Sequence, residues 1–383
     1  MRTPSARLAR PPEQPQSPRD GRAAATPRRR VRGRGVRSAN AIGAPRGRRL
    51  IAPTAPDVDS ARRIATVIIP DAFACPRARR SRYPPARQYG TRDAMSRTKL
   101  TRRFRIDSPD RFRLADIDPA ATAGVKKRAA KRILAKDVQR LDEAQRRLYA
   151  VDRWAILIIL QGMDAAGKDS AIRHVMTGLS PQGCTVHPFK TPSNEDLDHD
   201  FLWRAVGRLP ARGDIGIFNR SYYEEVLIAR VHPELLEKQH LPPRLLTPQV
   251  WKERFEDINA FERHLVRNGT LPIKFFLHIS KHEQERRLLD RLRDPTKRWK
   301  FSANDIAERR LWPRYMAAYE SMIRNTSTPE APWYVLPADN KWFARLVISA
   351  VIVDVLEGLR LEFPKFKRKE LGSKRRLRAA LAQ

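Results

Sequence analysis

A loop of the form G-x-x-x-x-G-K runs from Gly162 to Lys168 and continues into Asp169 and Ser170. Its glycines let backbone N–H groups come close to anion oxygens, the start of a helix adds positive potential, and an ammonium at the Lys168 position can span two phosphates. The pattern points to phosphate binding, with contacts expected from Gly162, Ala165, Ala166, Gly167, Lys168, Asp169 and Ser170, and from Arg173 one turn further on. Two acids complicate it. Asp169 stands where Ser or Thr usually reaches a metal ion, and Asp164 lies inside the loop. Carboxylates beside phosphate repel it unless a divalent cation lies between them, and Mg²⁺ takes carboxylate and phosphate oxygens together. A Mg²⁺ (or Mn²⁺) site on Asp164 and Asp169 is therefore expected.

Two further stretches are rich in charge. IFNRSYYEEVL, Ile217 to Leu227, carries Arg220, suited to bonding a phosphoryl oxygen and offsetting charge in a transition state, and Glu224 four residues later. The segment Glu285 to Lys300 holds Arg286, Arg287, Arg291, Arg293, Lys297, Arg298 and Lys300, with Asp294-Pro295 ending the helix within it. About half of these cations are expected simply to face solvent. His278, His282 and Glu283 do not read as a zinc site, because they straddle the end of a strand rather than share one helix face. Trp203, Trp299, Trp312, Trp333 and Trp342 read as core or interface aromatics.

Elements that could position these groups alternate along the chain. WAILIIL, Trp154 to Leu160, is a continuous apolar run, as a strand buried on both faces requires. Further strands are expected at 185–189, 214–218, 273–279 and 333–337. Helices are expected at 129–150, from the phosphate loop to about residue 179, and near 194–206, 221–231, 248–268, 280–292, 303–324 and 340–361. This is the α/β pattern of a parallel sheet with helices on both faces. The strand end at Phe218 should bring Arg220 to the phosphate loop, since open α/β sheets bind ligands at their carboxyl edge.

Composition divides the 383-residue chain. Residues 1–94 contain 22 Arg, no Lys, 13 of the 30 Pro and only six acids, a stretch expected to form no core. Arg without any Lys reads as translated high-GC sequence upstream of a start at Met95, the rival being a genuine disordered arm. The net charge of +35 leaves +19 on residues 95–383, so an anionic partner is expected: nucleic acid, an acidic membrane surface or polyphosphate. Only Cys75 and Cys184 occur, so no disulfide framework exists and a reducing, cytoplasmic setting is expected. No apolar run approaches the roughly 20 residues of a membrane span, and a soluble protein is expected.

In its motifs the chain resembles the polyphosphate kinase 2 family, whose phosphate loop has the form G-x-D-x-x-G-K seen at Gly162, Asp164, Gly167 and Lys168. TPSNEDLDHDFLWR (191–204), IFNRSYYEEVL (217–227), KFFLHISKHEQ (274–284), RLRDPTKRWKFS (291–302) and APWYVLPADNKWF (331–343) extend the resemblance over nearly all of residues 103–361. It implies a three-layer P-loop kinase-like fold with a parallel sheet and a helical lid. The catalytic domain would span 95–363, followed by a basic tail at 364–383. It implies phosphoryl transfer, reversible and Mg²⁺-dependent, from inorganic polyphosphate to AMP or ADP, with GMP or GDP as further acceptors. The implied lid would lay a cation track, favoured at Arg291, Lys297, Arg298 and Lys300 with Arg204 nearby, along the polyanion. Asp164, Lys168, Arg220 and Glu224 would be catalytic. The family often has Asp where this chain has Asn219, so one possible metal ligand is replaced by a neutral amide, and Glu224 is the candidate replacement beside Asp164 and Asp169. An acid at the Glu224 position resembles the mark of members that accept monophosphates. The resemblance also implies a homo-oligomer, a dimer or tetramer, with no membrane or nucleic-acid partner. Two rivals stand beside it: an ATP-dependent nucleotide kinase on the same fold, and a basic nucleic-acid-binding module.

Overall fold

The computed structural model describes residues 92–365 and 373–382, with side chains described from Thr98 onward. All of these residues belong to one unit of the chain. The expectations for residues 1–91, and for 366–372 and 383 within the basic tail, lie outside the described residues.

Five strands form one parallel sheet: β1 (Ala155–Gln161), β2 (Cys184–Pro188), β3 (Ile215–Asn219), β4 (Thr270–His278) and β5 (Trp333–Pro337). Their spatial order is β2-β3-β1-β4-β5, so β1 lies at the centre between β3 and β4. That place explains its sequence: all seven residues of AILIILQ are buried, with helices above and below. β2 is an edge strand, half open to solvent, and accordingly carries Thr, His and Pro.

Helices α1 (Arg92–Phe104), α2 (Lys127–Val151), α3 (Lys168–Val175), α4 (Asn194–Leu197), α5 (Trp203–Val206), α6 (Glu224–Val231), α7 (Glu234–Glu237), α8 (Val250–Arg267), α9 (Lys281–Arg293), α10 (Ala303–Arg310), α11 (Trp312–Thr326) and α12 (Lys341–Gly358) connect the strands or flank them. One layer is α12 packed on α1, α2 and α3; in the other α11 packs on α6 and α8. α12 is apolar almost all round, with Phe343, Leu346, Val347, Val351 and Ile352 buried, because the sheet lies on one side and α1 and α2 on the other. Burial of each such aliphatic side chain contributes roughly 1.5–3 kcal/mol. The expected three-layer α/β architecture is the observed one.

Local differences have local causes. The expected helix at 194–206 is two single-turn helices, α4 and α5, because the capping box of Ser193 and Asp196 starts a turn that Asp198 to Asp200 do not extend. The expected helix at 303–324 breaks at Leu311, and Pro313 near the start of α11 sits where its missing N–H costs nothing. The phosphate-loop helix ends at Val175 rather than near 179. α1 begins before Met95, and the basic tail, read as a fraying helix or a disordered end, is helical over Lys374–Leu381. Trp333 is fully buried, whereas Trp299 is 77% exposed and so is no part of this chain's own core, and Lys300 Nζ lies 5.1 Å from its ring centroid.

Candidate active site

The phosphate loop leaves the carboxyl end of β1. Gly162 is required there by close approach: a Cβ would lie 2.9 Å from the Leu277 carbonyl oxygen on the adjacent β4. Gly167, at φ +109°, takes a left-handed turn into α3, and Ala165 adopts φ +63° within the loop. Lys168 follows at the first position of α3 and folds back over the loop, donating from Nζ to the carbonyls of Gly162 (2.5 Å) and Met163 (3.2 Å). Burial, reinforced by the Arg220 cation, lowers its pKa to about 8 against the pull of Asp164, Glu224 and Asp169.

Arg220 enters from the end of β3. Its backbone N–H donates to the Leu160 carbonyl at 3.1 Å, extending the β1–β3 ladder by one bond, while its φ of +65° turns the chain sharply out of the sheet. The guanidinium bridges two carboxylates, Asp164 Oδ1 at 2.7 Å and Glu224 Oε2 at 3.5 Å. Glu224, first residue of α6, is mostly buried, and burial raises its pKa despite Arg220 and Lys168. On the neighbouring turn Asn219 Nδ2 donates to Asp169 Oδ1 at 2.9 Å, and Lys300 Nζ lies 3.6 Å from Asp169 Oδ2. Burial opposes ionisation of Asp169, but the Asn219 hydrogen bond and the Lys300 and Lys168 charges together hold its pKa below the ordinary value.

Of the residues singled out in the sequence, Asp164, Lys168, Asp169, Arg220, Glu224 and Lys300 thus come together, with Gly162, Ala165, Ala166, Gly167 and Ser170 forming the loop and helix start beneath them. The other cations lie elsewhere. Arg173 is exposed on α3. Arg204 packs over the Phe189 ring and donates to the Lys190 carbonyl. Arg291 faces Asp305 at 3.6 Å, Lys297 pairs with Asp294, and Arg298 donates to the Leu292 carbonyl.

Some site groups were not foreseen. Arg287, read as one more cation of a basic segment, is buried: Nη1 donates to the carbonyls of Ala165 and Ala166, Nη2 to those of Ala338 and Asp339, and Nε to Glu283. It clamps the phosphate loop to the β5–α12 turn. Lys274, inside the apolar β4, is fully buried and donates to Glu262 Oε2 (2.6 Å), the Tyr223 hydroxyl (3.0 Å) and the Thr326 carbonyl (2.6 Å). Glu262 Oε1 accepts from Tyr222 and Tyr223, so this satisfied network anchors the residues just after Arg220. A lysine amid apolar residues was the one sign of it in the sequence.

The oxygen donors suit a hard cation. Asp164 and Asp169 lie in or just after the loop with partly open carboxylates, and Mg²⁺ needs only one or two such ligands when phosphates and water supply the rest. Glu224 is joined to Asp164 through Arg220, and among the described residues no group of three His, Cys, Asp or Glu is gathered for a metal. None of the described helices is long and apolar enough to cross a membrane.

Residues 124–364 match the family model described as Polyphosphate kinase 2. The chain is 51% identical over 243 residues to an ADP-polyphosphate phosphotransferase of Rhodopseudomonas palustris, covering 62% of this chain and 84% of that protein. It is 44% identical over 266 residues to an AMP/ADP-polyphosphate phosphotransferase of Meiothermus ruber, covering 69% and 96%. A crystal structure of polyphosphate kinase 2 from Arthrobacter aurescens TC1 aligns with a TM-score of 0.68 at 39% identity, covering 74% of this chain and 96% of that one.

Proposed function

The chain belongs to the polyphosphate kinase 2 family, and from that premise we propose how its site transfers a phosphoryl group from inorganic polyphosphate to AMP or ADP, reversibly. The observation that carries the assignment of roles is Arg220, which joins the loop carboxylate Asp164 to Glu224 beside Lys168. Phosphoryl transfer asks little covalent chemistry of a protein and much positioning and charge stabilisation. The loop N–H groups and Lys168 hold the donor phosphates. Arg220 can exchange a carboxylate for an oxygen of the transferring group, offsetting the charge that builds there.

Asp164 and Asp169 would hold Mg²⁺, with Mn²⁺ as its substitute, and the ion would supply charge neutralisation to the phosphates. Glu224 orients an acceptor that lacks a β-phosphate, which makes AMP a substrate beside ADP; GMP and GDP are further acceptors. The segment after α9 closes as a lid that excludes water, with Lys300 over Asp169 and Arg291, Lys297 and Arg298 along the polyanion. The catalytic domain spans 95–363 and acts in the cytoplasm as a homo-oligomer, a dimer or tetramer.

The test is incubation of the purified chain with Mg²⁺, polyphosphate and either AMP or ADP, with chromatographic separation of the nucleotides. ADP from AMP and ATP from ADP are expected. Products formed only when ATP replaces polyphosphate as donor would overturn the reading.

A further inference from the structure

The phosphate loop has two flanks, and the groups described so far occupy one. Asp169 and Ser170 are successive residues of α3, about 100° apart around its axis. Asp169 faces Asn219 and the lid. Ser170 faces α12: its Oγ accepts from Arg345 Nη2 at 2.6 Å. One turn before Arg345, on the same face of α12, the Lys341 side chain passes over Gly167, with Cγ 3.9 Å from where a Cβ on that glycine would stand.

Neither cation is neutralised by a salt bridge among the described residues, unlike Arg220 or Arg286. Lys341 is exposed, and Arg345 Nε is buried without a hydrogen-bond partner. α12 itself starts at Lys341 without a side-chain cap, so its positive end adds to theirs. Partial desolvation and the neighbouring Arg287, Arg286 and Arg345 guanidinium groups hold the Lys341 pKa below its ordinary value, against an opposing pull from Glu283. Like charges crowded beside a phosphate loop are relieved by an anion that continues past it.

We propose that Lys341 and Arg345, at the start of α12, form a subsite for the donor phosphates distal to the transferring one, so that long polyphosphate leaves the loop across α12. The inference rests on the polyphosphate reading of the site and adds a direction to it: the lid cations cover the reacting end, and α12 receives the tail. A short donor ends before this subsite and gains little from it.

The experiment compares the wild-type chain with the double variants Lys341→Ala/Arg345→Ala and Lys341→Arg/Arg345→Lys, using long-chain polyphosphate or tripolyphosphate as donor and saturating ADP. The alanine pair is expected to raise KM for long-chain polyphosphate about tenfold, that for tripolyphosphate less than about twofold, and to leave kcat and Tm unchanged; the charge-keeping pair restores KM. Equal rises for both donors, or none, would overturn the subsite even with an active wild type. Equilibrium binding of fluorescently labelled long-chain polyphosphate, read as anisotropy, needs no turnover. Equal affinity of wild type and alanine pair there sinks the subsite alone, whereas failure of the wild type to phosphorylate ADP from either donor sinks the functional reading alone.

Discussion

Arg287 and Lys300 belong to the same basic segment and meet opposite environments. Arg287 is 4% exposed and spends its donors on four backbone carbonyls and Glu283, so it is part of the floor that shapes the phosphate loop. Lys297, Arg298 and Lys300 lie after α9 in exposed backbone, each paired with a carboxylate or carbonyl that it can release. A cation fixed on all sides preorganises a site; one held by a single surface partner can follow a ligand. The basic residues thus divide into a rigid floor and the proposed lid, and each half can be broken separately.

The largest effect belongs to the floor. Lys168→Ala should lower turnover by about a thousandfold or more with both AMP and ADP, because it removes the ammonium from the donor phosphates in either reaction. Near-normal activity with either acceptor, in a coupled nucleotide assay, would end the phosphate-loop mechanism. Arg287→Ala should cost stability of about 3–5 kcal/mol, since Glu283 and four carbonyls lose a buried partner, and Arg287→Lys should not restore it because an ammonium cannot reproduce the fork. Denaturant titration checks this; an unchanged midpoint with a weakened polyphosphate KM would move Arg287 from floor to lid.

Glu224→Asn is expected to reduce turnover with AMP by roughly two orders of magnitude and with ADP far less, since ADP brings additional oxygen ligands. Matched losses would leave Glu224 as a helix-start acid alone. The pH dependence is set by Lys168. Its pKa of about 8 means that the cationic form is lost as pH rises through that value, so kcat/KM should fall above about pH 8, by up to about tenfold per pH unit. A bound polyanion favours the ammonium, so the fall in kcat should occur at higher pH. A profile flat to about pH 10 would contradict this. Smallest is the lid: Arg298→Ala/Lys300→Ala should raise KM for polyphosphate several-fold, more than for nucleotide, with Tm unchanged, because exposed pairs contribute only about 0–1 kcal/mol to folding. A Tm drop matching that of Arg287→Ala would erase the distinction between floor and lid.

Much of this molecule was legible because its determinants are local. The apolar run of β1, the glycines after it and Lys168 at the start of α3 are adjacent in the chain, and together they dictate strand, anion-binding turn and helix. The residues around Arg220 were legible because the end of a parallel strand delivers the next few residues to the carboxyl edge of the sheet. The surroundings of Trp299 were not legible, since exposure depends on what lies opposite, and within this chain its indole is left exposed. The breaks at Asp198 to Asp200 and at Leu311 were missed because helical periodicity continues across them.

By itself the sequence determined the parallel α/β sheet, the phosphate loop, the family and the donor and acceptor classes, all carried by short-range pattern and by ordered motifs. The tertiary structure alone decided the partnership of each charge. Arg220 meets Asp164 across 56 residues, Arg287 meets the loop carbonyls across more than a hundred, and Arg345 meets Ser170 across 175. A guanidinium has the same formula in each place, and only the burial and the carboxylates, carbonyls or hydroxyls around it determine whether it is locked into the fold or able to exchange partners.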